Sequence, residues 1–399
     1  MYDVIIIGAG ASGCFLALTL KYKNPNLKVA LIEKDDKLGK KLLITGNGRC
    51  NLGNTNINID NYNSSSSLEK FAKSLQKNEY LNCLKKFGIL IKKEDTSTRL
   101  YPYSNQAITV CKSFERALEN EKVKLIYNYD VKKATYENSS FVLNNDLKCK
   151  KLVVATGGKT YIKTESKDNG YNILKSFGHT ITKLYPALTF LKTDHKYIKD
   201  LQGVRANVVV SLSVDGFIIK KEEGQVQFTK DALSGICIFN LSRDVNKYLK
   251  DNKKVEIVVD LVPDYNRAYI ECYLKEFSDY NALDAISCIL NKKIAQVVSN
   301  MLKISDKKIS SLNKNELENI SYALKNMHFN IIETGDFKAA QVTNGGAKLD
   351  EFTSGLESLK KPLLYAIGEV LDVDGNCGGY NLSWAFNSAL IAAEDILKK

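Results

Sequence analysis

The stretch that decides the fold opens the chain: Tyr2-Asp3-Val4-Ile5-Ile6-Ile7-Gly8-Ala9-Gly10-Ala11-Ser12-Gly13. Residues 2–7 are almost uninterrupted in hydrophobicity and rich in β-branched side chains, which predicts a buried strand. An apolar helix is expected to follow as far as about Lys23, and residues 28–32 read as a second strand. Strand, glycine-rich turn, helix and strand in this order make up a βαβ unit.

The glycines Gly8, Gly10 and Gly13 have the G-x-G-x-x-G spacing of a dinucleotide-binding turn. The first glycine allows a tight turn, the second lets a pyrophosphate approach the backbone, and the third lets helix and strand pack closely. The helix N-terminus offers N–H groups and a positive dipole end to the phosphates. Glu33 lies twenty residues beyond Gly13, where its carboxylate can accept a hydrogen bond from a ribose hydroxyl. Together these contexts predict dinucleotide binding rather than a chance glycine-rich turn.

The composition is that of a globular protein. With 399 residues, 44% of them hydrophobic and 26% charged, the chain is expected to form two to three domains and to be neither disordered nor collagen-like. Apolar runs such as residues 4–7 and 363–367 are far too short for a membrane span of about 20 residues. No basic segment precedes an apolar one at the N-terminus, so we expect a soluble, cytoplasmic protein without a membrane partner.

The net charge of +12 raises the question of nucleic acid, because 57 Lys and Arg residues face 45 Asp and Glu residues. The lysines are spread along the whole chain, which favours compositional drift over a binding stripe, and nucleic acid is not the expected partner. The nine cysteines include no C-x-x-C pair, and there are only three histidines. We therefore expect no metal site, and thiols that are mostly buried.

Further glycine-rich segments follow predicted strands or precede helices. They are Ile44-Thr45-Gly46-Asn47-Gly48-Arg49-Cys50-Asn51, Ala155-Thr156-Gly157-Gly158, Gly368-Glu369-Val370-Leu371-Asp372-Val373-Asp374-Gly375 and Cys377-Gly378-Gly379-Tyr380-Asn381-Leu382. Between them, short alternating strands are expected over residues 123–155, and residues 187–262 are again strand-rich. Residues 264–330 have helical spacing, and a strand over 363–367 precedes a long helix from about Asn381. Ser66 and Glu69 have the spacing of a capping box before an earlier helix.

These segments resemble the two-dinucleotide-binding-domain flavoproteins. More narrowly, together with Gln227-Phe228-Thr229, Leu233-Ser234-Gly235 and Asn344-Gly345-Gly346, they resemble the aminoacetone-oxidase-like, bile-acid-reductase-like family of FAD/NAD(P)-dependent oxidoreductases. The resemblance covers the whole chain. It departs from the family pattern at Lys230 and Ile236, where His and Pro are usual, and over residues 355–358, so it predicts the cofactor better than the substrate.

The resemblance implies an α/β fold with a Rossmann-like FAD-binding domain formed by both chain ends. Residues 1–186 and 344–399 would form that domain. Residues 187–262 and 331–343 would form an inserted β-barrel-like domain, with 264–330 as its helical subdomain. This division agrees with the pattern of elements read from the residues.

The residues expected to bind FAD come from each of the glycine-rich segments and from two strand ends. They are Gly8, Gly10, Ala11, Ser12, Gly13, Glu33, Lys34, Gly46, Gly48, Arg49, Cys50, Asn51, Val131, Ala155, Thr156, Gly157, Gly158, Gly368, Glu369, Asp374, Gly379, Tyr380, Asn381 and Leu382.

Several of these residues have an expected role. Glu33 would hold the adenosine ribose, and the backbone of Val131 would contact adenine. Glu369 or Asp374 would approach the ribityl or pyrophosphate, with a hydroxyl as the favoured partner because a carboxylate beside a phosphate is unfavourable. The N–H groups from Gly379 onward would lie near the N1–C2=O side of the flavin, where negative charge develops on reduction.

Arg49 and Tyr380 are the candidate catalytic residues. Arg49 is always charged and can bind a carboxylate or phosphate with two nitrogens; the alternative is a clamp on backbone carbonyls. Tyr380 is a proton donor or a packing residue. Cys50 and Cys377 are expected to be small packing residues rather than redox thiols, because neither has a resolving cysteine close in sequence.

The expected function is an FAD-dependent oxidoreductase that exchanges a hydride between bound flavin and a small organic substrate. No second G-x-G-x-x-G turn is followed by a strand and an acid, so NAD(P)H is at most a transient co-substrate. Two alternatives stay open: a tRNA-modifying flavoprotein, and a flavin-binding protein that acts through a partner and has little catalysis of its own. The substrate, the direction of electron flow and the oligomeric state are not predicted.

Overall fold

The opening βαβ unit forms where the sequence predicts it. In the computed structural model, which describes residues 1–160 and 169–399, the first strand spans Tyr2–Ile7, the first helix Ala11–Lys23 and the second strand Val29–Ile32. The chain divides into two units. Unit 1 comprises Met1–Tyr185 and Val342–Lys399, and unit 2 comprises Pro186–Gln341.

The strands of the described residues are between 2 and 12 residues long. In chain order they are β1 (Tyr2–Ile7), β2 (Val29–Ile32), β3 (Gly53–Asn54), β4 (Tyr62–Asn63), β5 (Ile91–Lys93), β6 (Arg99–Pro102), β7 (Lys124–Ile126), β8 (Ala134–Glu137), β9 (Ser140–Leu143), β10 (Leu147–Val154), β11 (Tyr185–Ala187), β12 (Leu191–Thr193), β13 (Arg205–Val214), β14 (Phe217–Phe228), β15 (Ala232–Ser234), β16 (Val255–Asp260), β17 (Met327–Thr334), β18 (Val342–Asn344), β19 (Leu364–Ala366) and β20 (Asp374–Gly375).

The α-helices of the described residues are between 6 and 19 residues long. They are α1 (Ala11–Lys23), α2 (Glu69–Lys77), α3 (Tyr80–Lys86), α4 (Ala107–Asn120), α5 (Asn169–Ser176), α6 (Ile236–Lys250), α7 (Arg267–Lys275), α8 (Ala282–Ser287), α9 (Lys292–Leu302), α10 (Lys314–Lys325) and α11 (Tyr380–Lys398).

The main sheet of unit 1 has the order β7-β2-β1-β10-β9-β8, and β19 pairs with β10 as well. The pairs β7–β2, β2–β1, β1–β10 and β10–β19 are parallel, whereas β10–β9 and β9–β8 are antiparallel. A central parallel strand is covered on both faces, which explains the unbroken apolar run of β1. Because parallel strands end at the same edge, the segments that follow β2, β1, β10 and β19 are brought side by side.

The first and last helices pack against each other and join the two ends of the chain. Phe15 of α1 and Phe386 of α11 lie 5.3 Å apart between ring centroids, and both are fully buried. Burying a side chain of this size contributes about 2–3 kcal/mol. The C-terminal segment is thereby fixed against the glycine-rich turn at the start of the chain.

Unit 2 contains a closed barrel with the strand order β12-β15-β14-β13-β16-β17. The strand-rich prediction for residues 187–262 missed α6, although Cys237, Ile238, Leu241 and Val245 are buried at helical spacing. The helical prediction for residues 264–330 holds for α7 to α10. β17 begins inside that range at Met327 and completes the barrel.

The predicted capping box at Ser66 and Glu69 is wrong. α2 begins at Glu69 with Leu68 at its N-cap, and no side chain caps it there. The Ser66 hydroxyl is buried and has no hydrogen-bond partner among the described residues. The neighbouring Ser67 accepts from the Glu69 N–H instead, at 3.3 Å. In residues 1–160 and 169–399, no helix is long and apolar enough to cross a membrane.

Candidate functional site

The glycine-rich turn between β1 and α1 is tight on one side and open on the other. Gly8 has a φ of +107°, and a Cβ there would lie 2.4 Å from the Ala155 carbonyl oxygen. A Cβ on Gly13 would lie 1.9 Å from the Gly8 carbonyl oxygen, so helix and turn are in direct contact. At Gly10, no heavy atom of the described residues beyond its chain neighbours lies within 4 Å of the Cβ position. The open side therefore lies at Gly10, the N-cap of α1.

Glu33 follows β2, and its carboxylate reaches back to the glycine-rich turn. Its Oε2 accepts a hydrogen bond from the Ala9 N–H at 2.9 Å, and its Oε1 accepts one from the Asp35 N–H at 3.1 Å. Burial raises the pKa of Glu33, and the two hydrogen bonds act in the opposite direction. Each carboxylate oxygen keeps a second lone pair, so Glu33 can also accept a hydrogen bond from a ligand hydroxyl.

Glu33 lines a pocket at the edge where β1, β2 and β10 end. Five other predicted binding residues line the same pocket: Gly8, Lys34, Val131, Thr156 and Gly157. The lining residues that the sequence analysis did not assign to the site are Ile7, Ile32, Tyr129, Asp130, Asn169, Gly170 and Tyr171. Five separate segments of the chain thus meet around one cavity.

Asp130 is fixed at this pocket by two amides. Its carboxylate accepts from Asn169 Nδ2 at 2.7 Å, and its carbonyl oxygen accepts from Asn144 Nδ2 at 2.9 Å. Asp130 directly precedes the predicted Val131, so the acid itself was visible in the sequence. Its partner Asn169 lies 39 positions away at the start of α5, which only the fold reveals.

Gly368 connects the C-terminal segment to the N-terminal turn. It has a φ of +72°, and a Cβ there would lie 2.7 Å from Ser12 Oγ in α1. Its N–H donates to Ser388 Oγ at 2.9 Å, and its carbonyl oxygen accepts from Trp384 Nε1 at 3.1 Å. Since both of these partners belong to α11, the two ends of the chain converge at Gly368.

Glu369 is held by an ion pair that the sequence analysis missed. Its Oε2 lies 2.6 Å from Lys41 Nζ, and its Oε1 accepts from the Thr343 N–H at 2.8 Å. Lys41 Nζ also donates to Thr160 Oγ1 at 2.6 Å. A Cβ on Gly158 would lie 2.6 Å from Glu369 Oε1, which accounts for the glycine at that position. The predicted residues Gly158 and Glu369 are therefore in contact, and Lys41 belongs to the same group.

Asp374, the other acid of this segment, is engaged inside the protein. It is 1% exposed, and its Oδ1 accepts from Asn63 Nδ2 at 3.1 Å and from Asn344 Nδ2 at 2.7 Å. These bonds tie β20 to β4 and to the end of β18. Of the two carboxylates that the sequence offered for one role, Glu369 is the one at the edge of the parallel sheet.

The second glycine-rich loop packs against the C-terminal one through Asn51. The Asn51 amide nitrogen donates to the carbonyl oxygens of Gly53 at 2.8 Å and Leu100 at 3.1 Å, and its oxygen accepts from the Gly379 N–H at 3.1 Å. Gly379 has a φ of +97°, and a Cβ there would lie 2.4 Å from the Gly53 carbonyl oxygen. The Gly379 N–H is thus used within the protein, and the glycine is required by packing and by its backbone conformation.

Tyr380, Asn381 and Leu382 form the first turn of α11. The Asn381 side chain donates to the Gly375 carbonyl oxygen and accepts from the Gly375 N–H, both at 2.8 Å. The Tyr380 ring meets the Tyr62 ring edge-on, with centroids 6.0 Å apart. Leu382 packs on the core of unit 1. Burial raises the pKa of Tyr380, so its phenol is protonated at neutral pH, as a proton donor must be.

Arg49 is held by other side chains. Its Nη1 lies 3.0 Å from Glu94 Oε1, its Nη2 donates to Asn105 Oδ1 at 3.4 Å, and its guanidinium carbon lies 3.9 Å from the Tyr101 ring centroid. The arrangement is a clamp, but on side chains rather than on the backbone carbonyls considered from the sequence. A residue held in this way shapes the loop around it.

The loop that carries Arg49 turns through left-handed backbone at Gly46, Gly48 and Cys50, with φ of +57°, +80° and +61°. Burial raises the pKa of the Cys50 thiol to about 12, and burial also raises the pKa of Cys377. Because the thiolate is the reactive form of cysteine, both groups are poor nucleophiles at neutral pH. The geometry favours packing over redox chemistry at both positions.

Comparison with known proteins places this site in a family. The chain matches the HI0933-like protein Rossmann domain over residues 2–395. It is 30% identical over 408 residues to the 3-dehydro-bile acid delta(4,6)-reductase of Clostridium scindens, with 98% of each chain covered. It is 28% identical to the ribosomal RNA dihydrouridine synthase of Escherichia coli, over 99% of this chain and 98% of that protein.

Among solved structures, the chain is similar to the 3-ketosteroid delta1-dehydrogenase from Sterolibacterium denitrificans, with a TM-score of 0.51, 11% identity and all of both chains covered. At this identity the similarity concerns the fold alone. The predicted α/β fold with a barrel-like insertion is confirmed, and the predicted oxidoreductase class agrees with the reductase named among the relatives. Since the family match extends over nearly the whole chain, the protein belongs to the HI0933-like Rossmann family.

Proposed function

We propose that unit 1 binds FAD along the edge of its parallel sheet, and that the protein reduces a carbon–carbon double bond conjugated to a carbonyl group, with NAD(P)H as the electron donor. The observation that carries this proposal is the order of the strands. Glu33 follows β2, the open turn at Gly10 follows β1, and Glu369 follows β19 on the far side of β10. Along the sheet edge the order is therefore Glu33, the turn at Gly10 and Glu369. This is the order of the adenosine, pyrophosphate and ribityl parts of FAD.

The residues present fit this cofactor. The space at Gly10 is free of protein atoms among the described residues, and a side chain there would fill it. α1 begins beside that space, so its first N–H groups and its dipole favour a pyrophosphate. The pocket beside Glu33 is walled by Val131 and Gly157, at the place expected for the adenosine group.

The binding roles follow from these positions. The pyrophosphate is assigned to Gly8, Gly10, Ala11, Ser12 and Gly13, and the adenosine to Glu33, Lys34, Val131, Thr156 and Gly157. The ribityl hydroxyls are assigned to Glu369, with Ala155, Gly158 and Gly368 keeping the surrounding backbone close. Gly46, Gly48, Arg49, Cys50, Asn51 and Asp374 support the loops around the site. Since the Gly379 N–H donates to Asn51, the N–H groups of Tyr380, Asn381 and Leu382 are those assigned to the flavin.

FAD, when bound, supplies two electrons as a hydride. The N-terminal turn of α11 contributes the positive end of a helix dipole, which stabilises negative charge near it. Tyr380 is the candidate that delivers a proton to the carbon next to the substrate carbonyl, because it lies in the first turn of α11 and carries a proton at neutral pH. Hydride at one carbon and proton at the other saturate the double bond.

The proposed substrate class comes from the chemistry that two relatives share. A delta-4 double bond in a 3-oxo steroid is conjugated to its carbonyl, and the double bond lost when uridine becomes dihydrouridine is conjugated to a ring carbonyl. Both names therefore describe reduction of a polarised double bond. This chemistry narrows the hydride acceptor from any small organic molecule to an unsaturated carbonyl compound.

The test uses the purified protein under anaerobic conditions. Its released cofactor should be FAD, its visible flavin absorbance should be bleached by NADH or NADPH, and a 3-oxo-4-ene steroid should restore it. The matching saturated 3-oxo steroid is the control and should restore nothing. Release of FMN would contradict the cofactor, and no bleaching by either nicotinamide would contradict the donor. Equal behaviour of the two steroids would contradict a steroid as the substrate.

A second candidate substrate is a uracil base in RNA, and the charge distribution favours it. Unit 1 carries 35 Lys and Arg against 25 Asp and Glu, whereas unit 2 carries 22 against 20. A positive excess in the proposed cofactor-binding unit suits a phosphate backbone, and such binding weakens steeply as salt rises. The same anaerobic assay tests this candidate. If a ribosomal RNA fragment restores the flavin absorbance and the steroid does not, the uracil base is the substrate.

A further inference from the structure

Lys41 joins several segments at the edge of the sheet. Its Nζ lies 2.6 Å from Glu369 Oε2 and 2.6 Å from Thr160 Oγ1. The other Glu369 oxygen accepts from the Thr343 N–H at 2.8 Å, and Thr343 Oγ1 accepts from the Lys159 N–H at 2.7 Å. The group therefore connects the loop after β2, the loop after β10, β18 and the residue that follows Gly368. The exposed fractions of the Lys41 and Glu369 side chains are 32% and 18%, so the pair is partly shielded from water.

The neighbouring Lys40 provides an internal comparison. Its Nζ lies 3.0 Å from Asp35 Oδ1 and 2.8 Å from Asp36 Oδ1, and 43% of its side chain is exposed. Both of its partners belong to the same surface loop. Of these two lysines, Lys41 is the one that contacts the C-terminal part of the chain among the described residues, through Glu369.

We infer that Lys41 is a positioning residue of the cofactor site, which holds the Glu369 carboxylate in place and offsets its negative charge beside the cofactor phosphates. This inference rests on the proposed binding of FAD. A carboxylate that accepts from a ribityl hydroxyl must lie near a pyrophosphate, and like charges at that distance repel. An ammonium group 2.6 Å from the carboxylate removes most of this repulsion while leaving lone pairs of Glu369 for a ligand.

The test measures the FAD dissociation constant of the apoprotein by quenching of flavin fluorescence. Lys41→Met should weaken FAD binding by roughly tenfold, because truncating one partner of a shielded ion pair leaves the other charge uncompensated. Lys40→Met is the matched control, with the same change in charge and shape, and should bind FAD as the wild type does. The thermal unfolding midpoint of each apoprotein is recorded so that a general loss of stability is separated from a loss of affinity.

Two further variants test the role itself. Lys41→Arg keeps the charge and should restore FAD binding to within about threefold of the wild type, since an Arg–carboxylate pair is at least as strong. Glu369→Gln removes the charge that Lys41 balances, so adding Lys41→Met to it should change affinity much less than in the wild type. Such non-additivity is expected only if the two residues act as a pair.

The outcomes separate the inference from the function on which it rests. A wild-type protein that binds no FAD would overturn the proposed function. A wild type that binds FAD, together with equal dissociation constants for Lys41→Met and Lys40→Met, would overturn the role of Lys41 and leave the function standing. Additive effects of Lys41→Met and Glu369→Gln would also overturn it, because the residues would then act independently.

Discussion

Replacing Gly10 with valine separates cofactor binding from folding in unit 1. Gly10 has a φ of −81° and a ψ of −168°, which a β-branched residue adopts without strain, and its Cβ would meet no other segment of the described residues. Valine is a poor N-cap, so the apoprotein should lose about 0.5–1 kcal/mol. For a unit of this size that loss lowers the unfolding midpoint by about 1–4 °C.

The same substitution should abolish tight binding of FAD. Its branched side chain fills the space assigned to the pyrophosphate and keeps the phosphates from the N–H groups of α1. Each hydrogen bond to a charged group contributes about 1.5–3 kcal/mol, so losing two weakens binding by at least about a hundredfold. Flavin fluorescence titration of the Gly10→Val apoprotein measures the loss of FAD affinity. Thermal unfolding in the absence of flavin measures the loss of stability.

Gly13→Ala is the control with the opposite pattern. A Cβ there would lie 1.9 Å from the Gly8 carbonyl oxygen and 3.4 Å from Ile6 Cγ2, so the backbone must move. Such overpacking destabilises the apoprotein by about 1–3 kcal/mol or more, although alanine is far smaller than valine. If Gly10→Val binds FAD as the wild type does, the pyrophosphate does not lie at Gly10. If Gly13→Ala is as stable as the wild type, the contact between Gly13 and Gly8 does not limit packing.

Three other substitutions test neighbouring parts of the site. Gly379→Ala should destabilise the apoprotein by about 1–3 kcal/mol, because of its positive φ and of a Cβ 2.4 Å from the Gly53 carbonyl oxygen; a midpoint equal to that of the wild type would contradict this. Burial raises the pKa of Glu33, so ionisation of its carboxyl opposes folding. Urea unfolding at several pH values should therefore show the wild type losing stability relative to Glu33→Gln as the pH rises from 4.5 through the folded-state pKa. A difference in unfolding free energy between the two proteins that does not change with pH would refute this. Arg49→Lys should lower the free energy of unfolding by up to about 1 kcal/mol, because lysine cannot contact Glu94 and the Asn105 side chain at once. The same variant should leave kcat unchanged. A large fall in kcat at unchanged stability would make Arg49 a catalytic candidate again.

The part of the site that was predictable from the sequence lies where function requires a local backbone conformation. The strand, the turn and the helix of residues 2–23 are contiguous, and hydrophobic periodicity with glycine spacing is enough to place them. Glu33 also follows from a fixed distance along the chain. Features of this kind depend on residues that are close in sequence, so they can be predicted from the sequence alone.

Contacts between distant segments could not be read in the same way. Lys41 and Glu369 are 328 positions apart, and neither the double lysine nor the acid indicates the other. Asn51 was assigned to the cofactor, but its amide closes the loop against Gly379. The parallel pairing of β10 with β1 and β19 decides such contacts, and that pairing depends on which apolar runs find each other in the folded chain.

The missed helix α6 and the wrong capping box have a common cause. In both places polar and apolar residues fit two patterns at once, and tertiary packing decides between them. Ile238, Leu241 and Val245 are spaced for a helix within a strand-rich region. Ser66 has the chemistry of a cap, but its hydroxyl is buried and the helix starts without it.

The two carboxylates assigned to the cofactor are compensated in different ways, and the difference follows from the elements that carry them. Glu33 lies beside the glycine-rich turn, so the backbone N–H groups of Ala9 and Asp35 can serve it. Among the residues that the structure describes, Glu369 accepts from one backbone N–H, that of Thr343, and the ammonium group of Lys41 offsets its charge. Backbone donors supply partial charge, whereas an ammonium supplies a full one, which is what a carboxylate near a diphosphate needs. The loop after β2 therefore contributes to both ends of the proposed FAD site: through Glu33 at the adenosine, and through Lys41 at the ribityl chain.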